Sequence, residues 1–477
     1  MNSFGAVVPL LVIVGAALLV FLLEAFLKKE NRNYLAYLAL FSLLGCAVPA
    51  ARAWNAGLSY FDGMLRWDKP ALFLTFLFLV AVAFVILIGM KYIAQQDANH
   101  GEFYGLLLLA LSGLMIMVSS THMIVVFLGL EVLSVSSYAL AGLKRKDDKS
   151  SEAAVKYFLM GSFASAFLVF GLAILFGTAG TLDIPGLVGF FDSGPDQQQV
   201  LGLVGLGLVL IGFAFKIAIV PFHMWAPDVY EGAPTPVTAF FSIGPKAAGF
   251  AVLIRLLAPY WNAGFRSGKL FSFLWILAAL TMLAGSLIAL RQMNIKRMFA
   301  YSSIANAGYM LIAVLAGDGT GLLFFLTAYT FMSIGAFGSL IALSRTGREY
   351  NELEDFSGVG FKYPWIGAIF AVFLLSLAGF PPTGGFLAKF YVFVTAVKQG
   401  LTPLVLIAVL ASLISVYYYL RIVVYMYMRE PEGEISIELE NPALYLALFL
   451  CLYGVLQLGL FPGNVLTLIK QAVSALF

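Results

Sequence analysis

A glutamate and several lysines stand where hydrocarbon is expected. Glu131 lies inside Phe127-Leu-Gly-Leu-Glu131-Val-Leu-Ser134, about ten residues from either end of an apolar run long enough to cross a bilayer. Lys216 sits in Gly212-Phe-Ala-Phe-Lys216-Ile-Ala-Ile-Val-Pro221, Lys246 follows Pro245, and Lys389 follows Pro381-Pro382 by two turns. A charge near the bilayer centre costs ~2.5–3.5 kcal/mol on insertion scales, so each asks for a function. Burial disfavours a charged amine and a neighbouring carboxylate restores it. A lysine balanced between the two takes and releases protons as its ion pair opens and closes. Glu131, Lys216, Lys246 and Lys389 therefore form a candidate proton relay, with Glu131 and Lys216 as an ion pair or close to one. Lys156 lies one turn into its run, where its stem could carry the ammonium to the interface, so it is a secondary candidate. His223 is another. Ser134, Ser136, Ser137, Thr238, Tyr301, Ser302 and Ser303 could assist, although such a residue alone is more often a helix-packing hydrogen bond than a relay member.

Other chemistries find little support. There is no Gly-x-Gly-x-x-Gly turn after a strand, no Walker loop and no cysteine cluster for iron–sulfur. Cys46 and Cys451 fall in apolar runs at opposite ends of the chain, and His100, His122 and His223 are too scattered for a metal. No cofactor is expected in this chain. The net charge of +3 suggests no nucleic-acid partner.

The elements that hold these residues are membrane helices. Hydrophobic residues make up 61% of the 477 and charged residues 11%, where a soluble domain carries roughly 25% charged. The fold class expected is an all-α polytopic membrane protein of about 14 transmembrane helices. The spans are read at 5–27, 34–51, 70–93, 103–120, 122–143, 152–178, 200–222, 237–258, 270–291, 297–316, 320–344, 363–398, 402–428 and 442–469. Gly5–Leu27 is read as the first span, being too long for a signal-peptide core. The connections are short, the longest being 179–199, 345–362 and 429–441.

Two spans should break. As one straight helix Tyr363–Lys398 would be ~54 Å long, and Pro381-Pro382 interrupts it. Pro221 and Pro227 follow Lys216. Interrupted helices in lipid are tolerated only where freed backbone groups face protein or water, which makes them the usual ion sites of transporters. Spans four to eight and nine to thirteen each carry their break in the fourth span. An odd number of spans turns the second block over, giving two inverted five-helix repeats. The chain divides into 1–100 (three spans), 101–258 (first repeat), 259–428 (second repeat) and 429–477 (span fourteen).

Lysine and arginine counts orient the bundle. With the N-terminus outside, Lys28, Lys29, Arg32, Lys91, Lys144, Arg145, Lys146, Lys149, Arg291, Lys296, Arg297, Arg345, Arg348, Lys362 and Arg429 fall inside. Arg52, Arg66, Lys69, Arg266, Lys269, Lys398 and Lys470 fall outside. The ratio is roughly two to one, which places both termini outside.

The run Phe213-Ala-Phe-Lys216-Ile-Ala-Ile-Val-Pro221-Phe-His-Met-Trp-Ala-Pro227-Asp-Val-Tyr-Glu-Gly-Ala-Pro234-Thr-Pro resembles the subunit N family of the proton-pumping NADH–quinone oxidoreductase, respiratory complex I. Gly129-Leu-Glu131-Val-Leu-Ser, Asn294-Ile-Lys-Arg-Met-Phe-Ala-Tyr-Ser-Ser303 and Leu375-Ser-Leu-Ala-Gly-Phe-Pro-Pro-Thr-Gly-Gly-Phe-Leu-Ala-Lys389 agree, and the likeness spans about residues 1–470. The resemblance implies fourteen helices in two inverted repeats, kinship with Mrp-type cation/proton antiporters, and an energy-transducing membrane such as the bacterial inner membrane. It places family roles on Glu131, Lys156, Lys216, Lys246 and Lys389. It implies membrane-arm partner subunits, with FMN, iron–sulfur clusters and quinone in those partners. One departure stands out: where many members carry a histidine in span ten, this chain has Asn306. Asparagine cannot titrate, so Tyr309, the serines or water must bridge Lys246 and Lys389. The alternative reading is a subunit of an Mrp-type antiporter.

Overall fold

A computed structural model describes residues 7–28, 31–96, 101–193, 195–257, 268–344, 349–430 and 441–474. Lys29, His100, Arg266, Arg345, Arg348 and the expected helical positions 5, 6 and 258 lie outside the described residues.

The chain is almost wholly helical. The first half holds α1 (Val8–Phe26), α2 (Asn33–Ala53), α3 (Lys69–Gln95), α4 (Gly101–Ser119), α5 (Met123–Ala141), α6 (Asp148–Ala179), α7 (Ile184–Ser193), α8 (Asp196–Lys216), α9 (Trp225–Gly232) and α10 (Thr235–Leu257). The second half holds α11 (Lys269–Ala289), α12 (Ile295–Ala316), α13 (Gly319–Ala342), α14 (Val359–Lys362), α15 (Pro364–Ala378), α16 (Gly384–Lys398), α17 (Thr402–Met428), α18 (Pro442–Leu460) and α19 (Gly463–Val473). Among the described residues thirteen helices are long and apolar enough to cross a membrane. The interrupted pair α15 and α16 makes a fourteenth span, as the sequence predicts.

Helix ends are marked by local chemistry. Asp68, Asn294 and Asp318 cap α3, α12 and α13 by accepting backbone N–H groups. Gly180, Gly317 and Gly379 close α6, α12 and α15 in the left-handed region. α10, α12 and α13 form the centre, buried along nearly their whole length. α1, α2, α6, α17 and α18 ring them and turn Leu18, Phe41, Phe163, Leu413 and Phe449 outward. In lipid that arrangement is stable because polar groups, not apolar ones, are driven inward. Gly113 of α4 and Gly129 of α5 let two backbones touch: a Cβ on Gly113 would lie 2.6 Å from the Gly129 carbonyl oxygen. This contact seats the helix that carries Glu131.

Several boundaries correct the sequence reading. Span seven ends at Lys216 rather than 222. Ile217–Met224 is non-helical, with Ala218 at φ +56°, and α9 resumes the path. Span fourteen stops at Leu460, because Pro462 cannot continue a helix interior, and the separate helix α19 follows. The acidic connection 179–199 contains α7. A small antiparallel hairpin, Leu58–Tyr60 with Leu65–Trp67, joins α2 to α3.

Candidate functional site

In the first half, α5, α6 and α8 converge on Lys216. Its Nζ donates to Ser134 Oγ at 2.9 Å and stands 5.7 Å from the centre of the Tyr157 ring. Tyr157 in turn stacks on Trp225, whose indole N–H donates to the Phe215 carbonyl beside the break. The Val220 amide within the break donates to Thr281 Oγ1. The freed backbone groups are thus answered by protein, as a broken helix in lipid requires.

Of the two expected arrangements of Glu131 and Lys216, an ion pair or a near approach, the structure shows the near approach. Among the described residues the two make no direct contact. Lys216 comes level with Ser134, one turn along α5 from Glu131, and Glu131 Oε1 accepts from Ser165 Oγ of α6 at 2.6 Å. Ser134, Ser165, Tyr138 and Lys216 line one cavity, and Glu131 reaches its edge through Ser165.

Where the two halves meet, Lys246 Nζ of α10 donates to the Ser303 carbonyl of α12 at 2.8 Å and also to Ser303 Oγ. Tyr230 of α9 lies 3.3 Å from the same hydroxyl. The next residue, Ser302, is hydrogen-bonded to the Tyr419 hydroxyl of α17. Asn306 donates to the Ser302 carbonyl at 2.9 Å, and its buried Oδ1 is left without a partner. One turn further, the Tyr309 ring lies 5.2 Å from Lys389 Nζ. Lys389 donates to the carbonyls of Leu377 and Ala378 at 3.1 and 2.9 Å and to Ser412 Oγ at 3.0 Å. Those carbonyls are the last two of α15, which the break deprives of helical donors. Gly385 makes this possible: its amide donates to Ser376 Oγ, and a Cβ there would collide with the Ser376 carbonyl. Ser303, Ser302, Asn306 and Tyr309 thus lie along one face of α12 between Lys246 and Lys389, with Tyr419 beside them, and Asn306 Oδ1 and the Tyr309 hydroxyl are left without hydrogen-bond partners among the described residues. Tyr419 and Ser412 carry no mark in the sequence that sets them apart from other α17 residues.

Lys156 and His223 stand apart from this line. Lys156 is two-fifths exposed and pairs with Glu152 and Asp228, each at 2.6 Å. Asp228 also binds Arg297, Arg297 binds Glu231, and Glu231 binds Lys149. The network ties α9 to α6 and α12. His223 is buried in the break with Nδ1 unpartnered.

A further cluster, absent from the sequence reading, lies at the end of the bundle that the charge count assigns inward. Glu349, before the 3-10 turn Leu353–Phe356, accepts from the Tyr92 hydroxyl and from Lys144 Nζ through Oε1. Its Oε2 accepts from Thr235 Oγ1 at 3.2 Å and lies 3.6 Å from Lys296 Nζ. Burial raises the Glu349 carboxyl to about 7 and lowers the Lys144 amine to about 8.

The family model described as NADH:quinone oxidoreductase/Mrp antiporter, TM matches residues 120–415. NADH-quinone oxidoreductase subunit N of Trichlorobacter lovleyi is 43% identical over 467 residues, covering 97% of this chain and 95% of the relative. NADH-quinone oxidoreductase subunit N 1 of Solibacter usitatus is 40% identical over 471 residues, covering 98% and 96%. Among solved structures, a chain of respiratory complex I from Thermus thermophilus matches with TM-score 0.82 at 33% identity, over 96% of this chain and 98% of that one. A chain of the Mrp complex from Dietzia sp. matches with TM-score 0.85 at 20% identity, over 100% and 98%, a likeness of fold alone.

Proposed function

Since the chain belongs to the NADH:quinone oxidoreductase/Mrp antiporter membrane family, and within it to the subunit N group of NADH-quinone oxidoreductase, we propose that it carries protons across an energy-transducing membrane by way of Glu131, Lys216, Lys246 and Lys389. The observation that carries the reading is the solvation of the three lysines. Each is buried, and hydroxyl and carbonyl oxygens, not a direct carboxylate, receive its donors. Burying an ammonium so is costly, and an amine held this way changes charge when a proton or a distant carboxylate moves. The hydroxyls between them supply donors and acceptors in both directions.

Protons enter from the side bearing Lys144 and Lys296, both termini lying on the opposite side. They reach Lys216 or Lys246, pass along the α12 face to Lys389, and leave outside. The blocks 101–258 and 259–428 act as inverted repeats, each with one interrupted helix. Lys156 anchors α9 through Asp228, and His223 lies at the break as a secondary proton group. Each proton moved against 100 mV takes ~2.3 kcal/mol. The work comes from quinone reduction in partner subunits that hold FMN, iron–sulfur clusters and quinone, and other membrane-arm subunits transmit it. The test is Lys246→Ala in the assembled complex, reconstituted in vesicles. Loss of proton uptake coupled to quinone reduction is expected, and wild-type coupling would overturn the reading.

A further inference from the structure

Glu349 is held by four other elements or segments at once, and by a neighbour on its own. Tyr92 ends α3, Lys144 follows α5, Thr235 opens α10, Lys296 opens α12, and Asn351 on its own strand of chain donates to Oε2 at 3.3 Å. Lys296 is fully buried, and its Nζ also donates at 2.7 Å to the carbonyl of Ala233, the residue that closes α9. Thr238 Oγ1 is within reach of that same carbonyl and of the Tyr230 carbonyl. The Tyr230 hydroxyl then meets Ser303, and Ser303 meets Lys246. Polar groups thus extend from Glu349 past the end of the broken helix toward the central lysine, with the Tyr230 ring between the carbonyl that Thr238 meets and the hydroxyl that meets Ser303.

We propose that Glu349 is the carboxylate that admits protons to Lys246, taking each from the inner aqueous side and passing it inward along α9 and α10. This rests on the lysine relay proposed above. In the step, the carboxylate accepts a proton and becomes the acid. The acid then yields that proton toward the unprotonated Lys246 amine, which becomes the ammonium, and the carboxylate is restored. While protonated, Glu349 no longer attracts Lys144 and Lys296, and Lys296 is one of the groups that hold α9, through the Ala233 carbonyl at its end. Proton arrival is thereby coupled to the freedom of the broken helix. The charged groups surrounding this cluster are Asp147, Lys149 and Glu231, which act on Lys296. Burial raises the Glu349 carboxyl and lowers the Lys144 amine, while the contact between them favours the charged form of each, so the charge of the pair depends on whether that contact is made.

The assembled complex carrying Glu349→Gln, Glu349→Asp or Lys246→Ala is reconstituted in vesicles. Proton uptake and quinone reduction are followed across neutral pH. Glu349→Gln is expected to slow coupled turnover by about a hundredfold, the low end for a positioned proton-transfer group, and to erase the wild-type inflection near pH 7. Glu349→Asp is expected to restore turnover with the inflection displaced. It also serves as the reading variant should the glutamine form not assemble. An unchanged pH profile in both Glu349 variants, beside a defective Lys246→Ala, overturns this inference and leaves the lysine relay standing. A fully coupled Lys246→Ala overturns both.

Discussion

Replacing Lys389 with methionine keeps an unbranched apolar stem, one heavy atom shorter, and removes the three donated hydrogen bonds. The Leu377 carbonyl loses its 3.1 Å partner outright, while Ala378 retains only a 3.4 Å contact from Ser412. A buried acceptor left unpaired costs ~1–3 kcal/mol, so the methionine form should pay on the order of 2–5 kcal/mol at the break, including the lost cation at the negative end of α15. Glutamate is a different case. Its ionised form would face two carbonyl oxygens, so only the neutral acid fits, and that form offers one O–H. One carbonyl is satisfied and a proton can still be exchanged. The difference of one satisfied acceptor, ~1–3 kcal/mol, is roughly fivefold to a hundredfold in rate. Lys389→Glu is therefore expected to keep partial activity, and Lys389→Met and Lys389→Ala to be nearly inactive. The assay is proton uptake and quinone reduction in vesicles at matched assembly. Equal loss in all three would show that the site needs the positive charge itself, and full activity in Lys389→Met would refute the reasoning altogether.

Lys216→Ala should assemble and lose coupled quinone reduction, since Ser134 cannot stand in for the amine it receives; normal coupling in vesicles would remove Lys216 from the relay. Tyr419→Phe deletes the hydroxyl that meets Ser302 between Lys246 and Lys389. We expect coupled turnover to fall about tenfold, one hydrogen bond of ~1.4 kcal/mol, with assembly on native gels unchanged. Arg255→Leu leaves Asp68 without the fork of 2.8 and 2.9 Å bonds that ties α10 to the start of α3. Loss of one partner of such a shielded pair costs ~3–5 kcal/mol, so the complex should inactivate at lower temperature, and Asp68→Asn with Arg255→Leu should recover part of the loss.

What the sequence discloses follows from what is improbable in lipid. Glu131, Lys216, Lys246 and Lys389 are legible because a charge inside an apolar run is expensive and has few explanations. The break at Gly379–Thr383 is legible because proline cannot complete a helix. The partners are another matter. Ser165, Ser412 and Tyr419 are at home in any membrane helix, and nothing in their spacing says that each will meet a carboxylate, an ammonium or Ser302 from a distant part of the chain. The same blindness explains why the sequence leaves Glu131 and Lys216 open between an ion pair and a near approach: depth along two helices is readable, but rotation about their axes, which brings Ser134 rather than Glu131 to the lysine, is set by packing such as the Gly113–Gly129 contact. Lys144 and Lys296 illustrate the limit most clearly. Counted as loop charges they orient the bundle, and the count treats them as wet. Folding instead presses them against Glu349, where α3, α10 and α12 meet and water is largely excluded. A rule built on where positive charge stays during insertion says nothing of what that charge touches afterwards. Charges that orient a membrane protein can therefore end up shielded against an acid once the bundle has closed.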